Sequence, residues 1–341
     1  MKKLCTALTV LLLFLCMTAC GAESVDPLTY AVYPYLADAG YNQQLIERRW
    51  AELEPDIQLV RAQWDCYLDR KPEGIDVIMY DAVMQDRILS AGWIQPIRPD
   101  AVHDAGDIFP FALEGLTVEN RLYGIPVFLC GNFLIYDQAY EALGKAEHLT
   151  DLAEVSGILV VSSEDPANRP QYMIEVAADT LGEANPSADD SPQDGMQLID
   201  RLAIDAHMHD DNTQVVMAYD SGAGQGYIGF SESMRFLSHR SEQTMIRSIS
   251  FSDRENILRL YTDAVAVTAG AHGQRYEKCL ELMNVMAEAD VLTALSVLDG
   301  QPQYLLLARQ SPFRFLAGQY PLYARPEELA GDEKNHVILT P

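Results

Sequence analysis

A single thiol, Cys130, closes an apolar run in LYGIPVFLCGNFLIY, residues 122–136; Gly131 and Asn132 break the run and a second apolar run follows. The break reads as the end of one strand and the start of the next. A cysteine attacks as its thiolate, so a catalytic role needs a neighbouring base or dipole. Glu232, in GFSESM at a strand-to-helix turn, is a carboxylate that could serve as that base. Each residue also has a plainer explanation. Free cysteine is among the most buried residue types, and an acidic side chain in a first helical turn is favoured by the helix dipole. Tyr33, Tyr35, Asp65, Tyr67, Asp81 and Asp263 stand just after segments with strand character. Thiol, carboxylates and phenols together make a chemical set rather than a packing set, although each aspartate taken alone suits a helix cap or turn.

Other chemistries find little support. The chain contains no CxxC, HExxH or Ser-His-Asp pattern. In HMHDD, residues 207–211, His207 and His209 are two apart and do not share a helix face, which disfavours a metal site. GAGQGYIG, residues 222–229, lacks the preceding strand and the spacing of a dinucleotide fingerprint.

The elements that must position the candidates alternate in type. PLTYAVYPYL (27–36) reads as a strand running into a turn. YNQQLIERRWAELEP (41–55) places Leu45, Ile46, Trp50 and Leu53 at helical spacing. DIQLVRAQWDCY (56–67) reads as a strand, IDVIMYD (75–81) as a strand covered on both faces, and AVMQDRILSAGWIQPI (82–97) as a helix closed by Gly92. This β-α-β-β-α start marks an α/β sheet with helical crossovers. The alternation resumes with a strand at 157–163 and helices at 170–184 and 195–207, the last two separated by a polar loop. A strand-to-helix unit at 226–237, a strand at 261–270 and a long helix at 274–289 follow. In open α/β sheets ligands sit beyond the C-terminal strand ends, where the candidates fall.

The chain has 341 residues, a formal net charge of -26 and 48% apolar residues, so it carries a real core and is not of disordered composition. Such acidity disfavours nucleic acid and anionic lipid as partners and suits a cationic small molecule. The N-terminal MKKLCTALTVLLLFLCMTACGAES has two lysines followed by an uncharged stretch at 4–19, short of the about 20 apolar residues of a membrane span. It reads as a signal peptide over residues 1–19. MTAC followed by Gly21 resembles a bacterial lipobox, which would make Cys20 a lipidated membrane anchor and the protein an extracytoplasmic lipoprotein. Removal of residues 1–19 leaves 322 residues and takes the charge to -28, since only Lys2 and Lys3 leave. That length suits about two domains. Cys66, Cys130 and Cys279 then remain, an odd number, so at least one thiol is free unless it pairs between chains. Whether Cys66 pairs with Cys279 stays open.

Taken in order, YPY (33–35), WDCY (64–67), IDVIMYDAV (75–83), DIFPFALEG (107–115), YGIPVFLCGNFLIY (123–136), YIGFSESM (227–234), YTDAVAV (261–267) and DGQPQYLLLAR (299–309) resemble thiaminase I, the bacterial thiamine pyridinylases. That family shares the fold of type II periplasmic solute-binding proteins. The resemblance implies an α/β fold of two lobes with a ligand cleft between them. Residues 24–140 plus about 264–341 would form one lobe and about 141–263 the other. It implies Cys130 as nucleophile and Glu232 as base in displacing the thiazole of thiamine by an amine or thiol. Asp81 and Asp263 match positions that hold the aminopyrimidine, and Tyr33, Tyr35, Tyr67 and Tyr261 match the aromatic lining, which can stack on flat rings and face a cation. No metal or organic cofactor is implied, and the chain is expected to act as a monomer.

Two departures stand out: Phe230 replaces a tyrosine before SES, and another pocket tyrosine falls near Thr213. The competing reading is a non-catalytic lipoprotein receptor for thiamine or a related pyrimidine. Cys130 with Glu232 discriminates, because a receptor needs neither.

Overall fold

The computed structural model describes residues 26–36, 38–152, 155, 157–159, 169–182, 193, 196, 197, 199, 200, 212–252, 258–332 and 335–338. The signal and lipobox segment with Cys20, the HMHDD stretch and most of the helix expected at 195–207 lie outside the described residues. In chain order the strands are β1 (Leu28–Ala31), β2 (Leu59–Arg61), β3 (Val77–Asp81), β4 (Thr117–Val118), β5 (Arg121–Leu122), β6 (Ile125–Cys130), β7 (Asn132–Asp137) and β8 (Ile158–Leu159). They continue as β9 (Gly226–Phe230), β10 (Thr244–Arg247), β11 (Arg259–Val267), β12 (Val297–Leu298), β13 (Gln301–Pro302), β14 (Leu306–Leu307) and β15 (His336–Val337).

Two sheets carry the molecule. The first has the order β14-β6-β11-β3-β1-β2, with β15 on β11; the second has the order β10-β7-β9-β8. β1 runs parallel to β2 and β3, as the β-α-β start requires, whereas β11 runs antiparallel to β3 and β6. The helix between β1 and β2 spans Ala39–Leu53. Its N-cap Asp38 accepts a hydrogen bond from Tyr41 N at 2.8 Å, and it buries Asn42, Leu45, Ile46 and Trp50 on one face. Helix Gly273–Met286 buries Cys279, Leu280, Leu282 and Met283 against the same core.

β7 shows how the two halves share residues. Phe133 and Ile135 join the large core of the first sheet, while Leu134 and Tyr136 pack in a smaller second core with Leu143, Tyr172 and Ile228. This is the period-two alternation of a strand covered on both faces. The chain enters the second sheet at Gly131, ahead of the crossover expected near residue 140. It is back in the first sheet by Arg259, ahead of the return expected near 264.

Two local readings change. Residues 56–67 form a strand only over Leu59–Arg61, because Asp65 Oδ1 takes the Tyr67 N–H at 2.9 Å and turns the chain away from the ladder. In the stretch read as a helix closed by Gly92, the helix ends at Ser90 and Gly92 follows in a left-handed conformation at φ 64°, so the closure falls as read while residues 93–97 are not helical.

Candidate active site

Strand register assembles one wall of a cavity. Tyr261 on β11 lies directly opposite Cys130 on β6, and Asp263 lies directly opposite Asp81 on β3. Opposed residues of antiparallel strands share a face, as do residues two apart on one strand. Cys130, Tyr261, Asp263 and Asp81 therefore project from one face at one end of the sheet. A bulge in the β6–β11 pairing falls just past Asp263, on its Ala264 side.

The second sheet supplies the facing wall. Asn132, two residues past Cys130, pairs with Phe230 at the end of β9. Two residues further on, Glu232 enters a 3-10 segment, Ser231–Phe236. A register within the second sheet thus brings Glu232 back beside Cys130, and Cys130 Sγ lies 3.8 Å from Glu232 Oε1 as hydrogen-bond donor. Asn132 Nδ2 also donates to Glu175 Oε1 at 2.8 Å, which ties helix Arg169–Leu181 to this junction.

The cavity between the walls holds about 520 Å³. Tyr33, Tyr35, Tyr67, Asp81, Cys130, Glu232, Tyr261 and Asp263 all line it, with Phe128, Leu129, Leu305 and Leu306 as apolar surface and Phe230, Ile174 and Arg235 completing the rim. The eight residues expected at the site, drawn from six separate segments, are thus brought to one place. Asp65 stands behind them: its Oδ2 accepts from Tyr35 Oη at 2.9 Å. Thr213 is not among the lining residues. The sequence reading missed Arg235, Ile174 and the supporting Glu175. The available signal for Arg235 was its position three residues after Glu232.

The three tyrosines form a cluster with ring centroids 5.5, 6.3 and 5.9 Å apart. Tyr67 Oη donates to Asp81 Oδ2 at 2.6 Å, which leaves Tyr33 Oη to donate to Tyr67 Oη at 3.0 Å. Asp81 Oδ1 also accepts from Val83 N at 2.9 Å, so this aspartate caps a turn and faces the cavity at once. Tyr35 is 62% exposed and forms the outer edge.

Burial dominates the electrostatics. It raises the Cys130 thiol well above its ordinary range, and Glu232, Asp263 and Asp81 add to the effect. It raises Glu232 as well, against the opposing pull of Arg235 and the Cys130 S–H. Asp263 is pushed up by burial and then by the neighbouring Asp81 and Glu232, and burial raises Asp81 despite the donated Tyr67 and Val83 hydrogen bonds. Burial likewise raises Tyr33 and Tyr67, which keeps both phenols protonated. Three acids and a thiol crowd into one desolvated space, where a cation would relieve the strain by restoring their charged forms. The raised Glu232 is a stronger base toward the thiol than an exposed carboxylate. Among the described residues no cluster of His, Cys, Asp and Glu is arranged to hold a metal ion. Cys66 and Cys279 are free, buried and not paired with each other, and burial pushes each thiol to about 12.

No protein-family model matches the chain. The chain is 28% identical to thiaminase-1 of Paenibacillus thiaminolyticus over an alignment of 372 residues, covering 99% of this chain and 90% of that protein. The solved structure of thiaminase I from Bacillus thiaminolyticus superposes with a TM-score of 0.84 at 26% identity, covering 93% of this chain and 94% of that one. Clostridium botulinum thiaminase I in complex with thiamin gives a TM-score of 0.86 at 24% identity, with 92% and 94% covered. A maltodextrin-binding protein of L. casei shares the fold at a TM-score of 0.64 and 13% identity, with 93% and 88% covered. The architecture is therefore that of the type II periplasmic solute-binding proteins, and by sequence and by fold this chain is a homologue of thiaminase I.

Proposed function

We propose that the protein is a thiamine pyridinylase, a transferase that moves the pyrimidinylmethyl group of thiamine from thiazole to an amine or thiol. The observation that carries the proposal is the Cys130 Sγ to Glu232 Oε1 contact of 3.8 Å, made across two sheets inside a cavity of carboxyls and phenols. Thiamine is a cation with a flat aminopyrimidine. Its charge lowers the raised acids of the cavity, Asp81 and Asp263 hydrogen-bond the aminopyrimidine, and the tyrosines stack on the rings.

Chemistry begins with transfer of the Cys130 proton to Glu232. The thiolate adds to the pyrimidine carbon beside the ring nitrogen, and the thiazole leaves the methylene with the bonding electron pair as a neutral ring. Glu232 releases this first proton to solvent. The amine or thiol then bonds to the methylene and gives its own proton to Glu232, which returns it to the Cys130 sulfur as the sulfur–carbon bond breaks, restoring free cysteine. The balance is the thiamine cation plus a neutral nucleophile bearing an N–H or S–H giving the substituted pyrimidine, neutral thiazole and one proton; a pyridine has no such hydrogen, so it gives its pyridinium cation and neutral thiazole with no proton released. Positioned acid–base catalysis of this kind contributes about 10²–10⁴ in rate. A receptor needs neither the thiol nor the base, and the kinship with thiaminase I does not favour that role.

Incubating the purified mature chain with thiamine and aniline or pyridine, and following free thiazole, tests the proposal. Tight binding of thiamine with no cleavage in the presence of any amine or thiol would make the receptor reading the correct one. We also propose that the protein works as a monomer, since one chain supplies the whole cavity, and that Cys20 anchors it to a membrane outside the cytoplasm. Cys20→Ala should then block processing or release the protein from membranes. A soluble wild-type protein with a free Cys20 thiol would count against the anchor.

A further inference from the structure

Among the described residues that line the cavity, Arg235 is the one cation. Its guanidinium carbon sits 4.6 Å over the Phe236 ring, which fixes the side chain against the wall. One terminal nitrogen, Nη1, is sealed from solvent and has no hydrogen-bond partner. Three carboxyls line the same cavity; Arg235 pulls on Glu232 through space, yet among the described residues no salt bridge joins it to any of the three. A buried guanidinium donor left without an acceptor is unfavourable, and buried polar groups are otherwise paired in nearly all cases. Nη1 is closed off from the cavity as well as from bulk solvent, so the part of the guanidinium that lines the cavity is what a ligand can reach, and a ligand can bring the acceptor that pairs it.

Thiamine's own charge argues against its thiazolium filling this role, because a cation is drawn to the carboxyls and repelled by the guanidinium. What remains is the second substrate. Arg235 and Glu232 are three residues apart in a 3-10 segment, where side chains at that spacing eclipse. Arg235 thus stands on the same side of the turn as the base that accepts the nucleophile's proton. A guanidinium fork matches a planar carboxylate in two parallel hydrogen bonds.

We propose that Arg235 selects an anionic co-substrate: an amine, pyridine or thiol nucleophile that also bears a carboxylate or sulfonate. The assignment rests on the thiamine-cleaving reading above. The carboxylate docks on Arg235 while the nucleophilic atom faces Glu232 and the methylene left by the thiazole. The anionic group takes no part in bond making, so the reaction balance is that already given.

The test measures kcat/KM for nucleophiles at saturating thiamine, using nicotinate against pyridine and 3-mercaptopropionate against 2-mercaptoethanol. In Arg235→Gln the ratio of anionic to neutral kcat/KM should fall by about tenfold to a hundredfold, the value of one to two charge-assisted hydrogen bonds. Arg235→Lys should keep part of the preference, which separates lost recognition from a damaged fold. Thiamine affinity, measured by titration in each variant, reports the fold of the pocket. An unchanged ratio, or no preference in the wild-type protein, would overturn the proposal. So would an effect confined to thiamine monophosphate with a neutral nucleophile, which would place the anion on the first substrate. Absence of turnover with every nucleophile would overturn the thiamine-cleaving reading, and this one with it.

Discussion

The two walls of the cavity are built differently. On the first, Asp81, Cys130 and Asp263 stand on three neighbouring strands whose pairing fixes their spacing. Backbone ladders on both sides of β11 leave these side chains little freedom, and the tyrosine chain ending on Asp81 locks the rim. On the second wall, Glu232 and Arg235 ride a six-residue 3-10 segment after β9, a geometry with weaker hydrogen bonds than an α-helix or sheet. On the proposed reaction, the binding groups would sit on rigid structure and the base on a 3-10 turn. One wall would recognise the ring, and the other would handle protons.

The strongest way to break that division is at the nucleophile. Cys130→Ser should reduce turnover by about 10⁴ or more, a loss of the size seen when a covalent nucleophile is removed, while thiamine still binds. Turnover within tenfold of wild type, measured by thiazole release, would show that sulfur does not attack. Glu232→Gln comes next, with a loss of about 10²–10⁴ in kcat and little change in thiamine affinity. In the wild-type protein the acid limb of kcat/KM should lie above the ordinary glutamate value of about 4.3, because burial raises Glu232 and the base works ionised. An acid limb at or below that value would contradict the buried base.

Smaller effects test the rigid wall. Asp263→Asn should weaken thiamine binding by about tenfold to a hundredfold, as loss of a charged hydrogen-bond partner does. The same change should stabilise the empty protein at neutral pH. The folded pKa of Asp263 is raised above its unfolded value, so the folded chain holds the extra proton and stability falls as pH rises through that window. Melting temperature should therefore rise by about 1–2 °C at pH 7, the shift that about 1 kcal/mol makes in a chain of this size, and the gain should vanish at pH 4 and below. A destabilised variant at pH 7 would mean the carboxylate is satisfied in the empty cavity. The smallest change is expected at the open edge, where Tyr35→Ala should cost only several-fold in thiamine affinity, since an exposed cation–π contact is worth about 0.5–1 kcal/mol.

Much of this arrangement could be read from the chain. Gly131 and Asn132 mark the break after Cys130 because breaker residues interrupt an apolar run, and β6 and β7 end and begin there. The run VIMYD, buried throughout, is the strand it resembled. Residues 56–67 misled because apolar side chains there pack without a ladder: Trp64 and Cys66 are buried in irregular chain held by the Asp65 turn and by Trp64 Nε1 on Arg70 O. The facing of Asp81 and Asp263 was beyond local pattern, since it depends on a register between strands 182 residues apart in sequence. Arg235 went unnoticed for a related reason. A cation after an acidic turn is ordinary on a surface, and the cavity that Arg235 lines exists only once both walls are in place.

The crossing at Gly131 has a mechanical corollary. A Cβ at that position would come within 2.9 Å of Leu260 Cδ2, so the one-residue link between the sheets is also tightly packed. Rotation of one sheet against the other would turn bonds adjacent to Cys130 as well as those of the chain's return to β11, and the sulfur–carboxylate gap would change with it. On the proposed mechanism, a sulfur parted from Glu232 has no base to take its proton and stays a neutral thiol. Brought together, Glu232 can take that proton. The rate at which Cys130 is alkylated by iodoacetamide, with and without an unreactive thiamine analogue, would read out how far the halves have turned.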